Sequence, residues 1–269
     1  MHIGEFNLSL FSNSERSWVY FVVLCDVVMG IAFIFLIALL ASSMSQRITL
    51  NAVEQENKLY AERAQFIAKN FEARADFLGQ VQDALHERGI VVDIDVDNGI
   101  LRLPEFLLFD SGSAELRSGG SMLLRLVSHQ LGALLPCTTK HPKSLSCTKD
   151  FERLYIDSIV IEGHTDNHPV IFSIYRDNWD LSMARAKRAY LELVAGAPHI
   201  GNVTNDRGQS LISFSSFADK RPIADNDTEV NRRKNRRIDL RFSLFNPEQA
   251  VPLNGSANIS LPRPRLANN

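Results

Sequence analysis

The chain has 269 residues, 45% of them hydrophobic and 22% charged, and a net charge of −2. That balance excludes collagen-like, wholly disordered and disulfide-dense chains, and near-neutral charge argues against a protein built to coat nucleic acid. A mean hydropathy near zero excludes a multi-span transporter, and the length suits one or two domains.

Residues 1–17 form a short polar arm. Residues 18–40 follow as 23 consecutive positions at which only Asp26 and Gly30 are not apolar. As a helix this run rises about 35 Å, enough for a hydrocarbon core of roughly 30 Å. The competing reading, a cleaved signal peptide, needs an apolar region of about 7–15 residues behind a basic one. Here the run is longer, and Arg16 stands alone against Glu5 and Glu15. The expectation is a retained transmembrane helix over 18–44, with Trp18 and Tyr20 at the interface.

Asp26 lies about 12 Å into that span. An ionised carboxylate there costs at least ~2.5 kcal/mol. It must therefore face protein or water, bind a cation or carry a proton, which are the requirements of an ion-carrying site. The bland alternative is a hydrogen bond to a neighbouring helix. One helix cannot line a pathway, so an ion-carrying Asp26 requires a partner with several spans.

Residues 45–89 predict a helical stalk. Apolar residues recur at Val53, Tyr60, Ala64, Ile67, Phe71, Ala75, Leu78, Val81 and Leu85, mostly three or four apart, and Gly89 ends the run. The stripe is narrow and suits pairing with a second copy, a homodimer. The alternative is a helix packed on its own domain.

From residue 90 the period becomes two. Val92, Ile94 and Val96 alternate with aspartates, and Asp97-Asn98-Gly99 marks a tight turn, so 92–103 predicts a β-hairpin. Helices are expected over 118–135 and 181–194, and strands over 155–162, 211–217 and 238–245. The order ββ-α-β-α-β-β predicts an α+β sandwich over 90–246 with helices on one face of a sheet. Residues 247–269 hold four of the ten prolines and read as a loosely draped tail. Cys137 and Cys147 flank a polar stretch and would close a disulfide loop in an oxidising compartment. Two unpaired thiols, or a metal site with His141, are the alternatives.

Three separated motifs carry chemistry. The first is Phe109-Asp110-Ser111-Gly112-Ser113-Ala114-Glu115-Leu116. The second is Glu162-Gly163-His164-Thr165-Asp166, continued by Asn178-Trp179-Asp180-Leu181-Ser182-Met183-Ala184-Arg185. The third is Asn231-Arg232-Arg233-Lys234-Asn235-Arg236-Arg237. Asn178, Leu181 and Arg185 lie three and four apart, on one helix face. A carboxylate at Asp166 can bind an ammonium, and a guanidinium at Arg185 can bind a carboxylate bidentately, so together they suit a zwitterionic amino-acid end. Read without the other motifs, Asp166 is equally a loop cap and Arg185 a surface ion pair. His164, Asp166 and His168 do not make a metal site, because Gly163 and Pro169 oppose the helix that would align the histidines. No nucleophile with an adjacent base is signalled, so no enzyme is expected, nor any cofactor or direct nucleic-acid partner.

In order and content the three motifs resemble the OmpA-like peptidoglycan-binding domain over residues 91–245. Preceded by an apolar span with one aspartate, the whole resembles the B subunits of ion-driven rotary motors, namely MotB of the flagellar stator and ZorB of the anti-phage Zorya system. The resemblance implies that Thr165, Asp166, Asn178, Leu181 and Arg185 hold the diaminopimelate of the wall stem peptide, with Arg236 or Arg237 beside the pocket or ordering it. It implies a bacterial inner-membrane protein with a cytoplasmic N-terminus and a periplasmic C-terminal domain. It also implies a MotA- or ZorA-like multi-span partner and H⁺ or Na⁺ as the transported ion. Asp177 adds an acid near the pocket. The N-terminal arm lacks the basic character expected of MotB, which tilts the expectation toward the Zorya type. The remaining alternative is an OmpA- or Pal-like tether without ion flow.

Overall fold

A computed structural model of the chain describes residues 13–135, 154–171, 174–205 and 207–246. The chain divides into two compact units, Met1–Glu62 and Arg63–Asn269. Helix α1 (Asn13–His86) contributes to both. In the first unit its side chains from Tyr20 to Leu59 are exposed. Among the described residues, this is the one helix long and apolar enough to cross a membrane. Asp26 and Cys25, the free cysteine among the described residues, are exposed on it.

In the second unit the same helix turns apolar on one side. Ala73, Phe77, Leu78, Val81 and Leu85 are buried in the unit's own core, and Phe77 meets Phe242 edge to face at 5.2 Å. The stripe expected to pair with a second copy is thus spent on the chain's own core from residue 73 onward. Val53, Tyr60 and Phe71 remain exposed. Arg74 fixes the helix to the hairpin turn, its Nη2 donating to the carbonyls of Val96 and Asp97 at 3.1 and 2.8 Å. Gly99 sits under that guanidinium with φ of +66°, where a Cβ would lie 2.5 Å from Arg74 Nη1.

The rest is an α+β sandwich, as its order of elements predicted. Strands β1 (Asp93–Asp95), β2 (Ile100–Pro104), β3 (Ile156–His164), β4 (Ile212–Ala218) and β5 (Arg237–Leu244) form one sheet in the order β1-β2-β5-β3-β4. Only β3 and β4 run parallel. Helices α3 (Ser118–Leu134) and α4 (Asn178–Gly196) pack on each other, and α4 packs on β3 and β4. Short helices not foreseen include α2 (Glu105–Leu108) and α5 (Glu229–Asn235), which occupies most of the basic run expected to lead straight into a strand.

Strand period sorts the sheet into two faces. Leu101, Leu103, Ile159, Ile161, Ile238, Leu240 and Phe242 supply the helix-facing core. The opposite face carries charge: Arg102, Glu162, His164, Arg237, Asp239 and Arg241 lie in register there. Glu162 accepts from Arg241 at 2.7 and 3.0 Å, and Asp239 from Arg237 at 3.0 Å.

The Arg241 and Arg237 guanidiniums satisfy the buried carboxylates of Glu162 and Asp239, and His164 Nε2 lies 3.6 and 3.5 Å from them. Burial alone would raise the Glu162 carboxyl, but the His164 ring 3.6 Å away and the hydrogen bonds and charge of Arg241 outweigh it and hold the group at about 2. Burial moves Asp239 the other way, upward. Glu162 therefore favours the folded state when ionised. Its contribution is whole above its ordinary value of 4.5 and is lost as pH falls through about 2. Glu162→Gln should flatten the decline in Tm across that window; a profile parallel to the parent's would contradict this assignment.

A candidate ligand site at the end of the sheet

Strand β3 ends at His164, and the chain is carried one residue further by Thr165 N, which donates to Ala218 O at 2.9 Å. The Asp166 carboxylate is then oriented by His168 N, which donates to Oδ1 at 3.0 Å. Asn178, the first residue of α4, donates to the carbonyls of Asp166 and His168 at 3.2 and 2.9 Å. Asp177 caps α4 by accepting from Asp180 N at 2.8 Å, so the acid expected beside the pocket is a helix cap.

Arg185 projects from the second turn of α4 and is almost fully buried. Its Nε donates to Ser113 O at 2.8 Å, its ring-side neighbour is Phe109 at 5.5 Å, and its Nη2 pairs with the Glu105 carboxylate. The first motif thus wraps the arginine of the second. Burial pulls the Arg185 pKa down, against the pull of Glu105.

The third motif closes the network. Arg236 follows α5 and pairs with Asp166 through Nη1, with Glu105 Oε2 through Nε at 2.8 Å and with Glu229 Oε1 through Nη2 at 2.6 Å. Burial opposes its charge, yet the bonds to Glu229 and Asp166 raise its pKa above the ordinary value. Asn235, fully buried, positions it. Its Oδ1 accepts from Ile223 N and Ala224 N at 2.8 and 3.1 Å, and its Nδ2 donates to Ala224 O at 2.8 Å.

Asp166 and Arg185 are therefore brought into one ion-pair chain, Asp166–Arg236–Glu105–Arg185, although they do not touch each other. Leu181 is buried beneath, and the Thr165 hydroxyl is buried without a hydrogen-bond partner. Arg237 does not join: strand alternation turns it to the charged sheet face, onto Asp239. A cavity of about 330 Å³ opens beside the chain, lined by Glu105, Phe106, Phe109, Arg117, Glu229 and Arg236 among others. Glu105 was missed in the sequence, where no spacing rule marks an acid that finds its arginine 80 residues away; Glu229 was missed too, although Arg232, Arg233 and Arg236 follow it by three, four and seven positions. Cys137 and Cys147 lie outside the described residues, as does the tail over 247–269.

Residues 138–236 match the OmpA family. The chain carries an OmpA-like domain. It is 25% identical over 174 residues to motility protein B of Bacillus subtilis, covering 65% of this chain and 55% of that protein. It is 26% identical over 191 residues to motility protein B of Helicobacter pylori, covering 71% and 61%. The chain thus spans somewhat over half the length of these curated relatives. A solved structure described as a putative MotB-like protein from Desulfovibrio vulgaris aligns with a TM-score of 0.49 at 18% identity, over 66% of this chain and 98% of that one.

Proposed function

We propose that the chain is a MotB-like stator subunit. In this reading it is a single-span protein of the bacterial inner membrane whose periplasmic OmpA-like domain grips peptidoglycan and whose Asp26 carries H⁺ or Na⁺. The observation that carries the reading is the convergence of three distant motifs on one ion-pair chain, at the foot of an OmpA-like sheet, behind a span with a single acid. Residues 1–17 are the cytoplasmic arm, 18–44 the span, 45–89 the stalk and 90–246 the wall-binding domain. A MotA-like multi-span subunit supplies the rest of the ion path, and a second copy of this chain the second Asp26.

Asp166 and Arg185 offer opposite charges to the zwitterionic end of diaminopimelate, as Coulomb and hydrogen-bond complementarity require. Thr165 supplies a hydroxyl, Asn178 and Leu181 shape the rim, and Arg236 lies beside the pocket. The relatives are motility proteins, which supports the flagellar type over the Zorya type toward which the N-terminal arm tilts. Sedimentation with purified sacculi tests the domain. The chain should pellet with the wall, and the Asp166→Ala, Arg185→Ala double variant should stay in solution. Equal pelleting of a folded double variant would refute the ligand assignment.

A further inference from the structure

The two groups suited to a zwitterion are already answered from within the chain. Arg185 faces the Glu105 carboxylate, and Asp166 faces the Arg236 guanidinium. Glu105 and Arg236 are also tied to each other, side chain to side chain at 2.8 Å and through Glu105 N donating to Arg236 O at 3.0 Å. Linked in this way, one carboxylate and one cation mimic the two ends of an amino acid.

We propose that Glu105 and Arg236 form an internal latch. The Glu105 carboxylate holds the place of a ligand carboxylate on Arg185, and the Arg236 guanidinium holds the place of a ligand ammonium on Asp166. The inference rests on reading Asp166 and Arg185 as the ligand-binding pair. A zwitterionic amino-acid end enters by displacing both contacts together.

Three features favour exchange over permanent closure. First, the latch forms a wall of the 330 Å³ cavity, so a ligand meets it on entry, and that volume suits an amino-acid-sized group. Second, Arg236 has a place to go: Glu229, half-exposed at the cavity, already holds its Nη2 at 2.6 Å, and Glu105 can stay on its Nε. Third, a zwitterion is neutral overall, so inserting it leaves the net charge of the buried network unchanged. Each displaced partner is replaced by a group of the same sign, which avoids the cost of a buried unpaired charge. The latch lowers apparent affinity by the fraction of molecules that hold it closed.

The test uses the full chain in detergent, with meso-diaminopimelate and purified sacculi as probes. Glu105→Gln keeps the shape and removes the competing charge. It should lower Tm without ligand, bind meso-diaminopimelate roughly tenfold more tightly than the parent, and gain more Tm on binding. Equal or weaker binding by Glu105→Gln overturns the latch and makes Glu105 a positioning residue. If that variant does not fold, Arg236→Gln decides by the same criterion. The Asp166→Ala, Arg185→Ala variant runs alongside. If it binds like the parent, or if neither parent nor latch variant binds either probe, the ligand assignment itself fails, and the latch with it.

Discussion

Replacing Asp26 by asparagine is expected to abolish ion-driven work while leaving membrane insertion and wall binding at parental levels. Asparagine has nearly the same shape and can keep a hydrogen bond to a neighbouring helix, so a packing role would survive the change. It can neither take up a proton nor hold a cation as a carboxylate does. The span contains no second acid to substitute for it. An apolar helix that tolerates a charge costing at least ~2.5 kcal/mol needs a compensating use for it. Motor output, measured as swimming or as ion uptake by cells carrying the full chain and a MotA-like partner, should fall to background. Membrane fractionation and sacculus pelleting should not change. Retained output would favour the tether reading, in which the span is only an anchor.

The second large effect concerns the fold that holds the site. Gly163→Ala should prevent stable folding of the OmpA-like domain. A Cβ there would lie 2.1 Å from Ser182 O and 2.8 Å from Ser182 C, both backbone atoms of α4. Neither can swing away as a side-chain tip can. The contact is tight because β3 and α4 nearly touch: Ser182 Oγ also meets Ser216 Oγ on β4 at 2.5 Å. Separating helix from strand would strip Leu181, Ala186 and Ala189 from the core and carry Asn178 and Arg185 away from Asp166. Overpacking in a close-packed core costs about 1–3 kcal/mol where side chains can adjust. Here only backbone is available to move, so the cost should exceed that range. Near-ultraviolet circular dichroism and thermal melting check it. A variant melting within a few degrees of the parent would show that the strand–helix contact is softer than its geometry.

Much of this was legible in the sequence, for reasons that can be named. Period-two alternation in Ile238, Leu240 and Phe242 marks the core face of β5, and the same alternation places Arg237, Asp239 and Arg241 on the other. It also separates Arg236 from Arg237, a choice left open when the basic run was read only as a cluster. The seven-residue step from Asn178 to Arg185 placed both on one side of α4. What escaped was partnership. Glu105 looks like a surface acid, and nothing local signals that burial and two distant arginines await it; Glu229 stays half-exposed, and only the fold shows that the arginine it holds reaches Glu105 and Asp166. The stalk was misjudged at its C-terminal half because a narrow apolar stripe looks the same whether it meets another copy or its own domain. Leu78, Val81 and Leu85 on the stripe, together with Ala73 and Phe77 beside it, are buried in the chain's own core.

The central claim is that the OmpA-like domain holds the wall through a zwitterion gripped by Asp166 and Arg185. Competition measures it most directly: the full chain is pelleted with purified sacculi in the presence of rising free meso-diaminopimelate. The account predicts that the chain pellets and is released as the amino acid saturates the site, while an equal concentration of a simple diamine releases none. Failure to pellet, or pelleting that excess meso-diaminopimelate leaves unchanged, would contradict it.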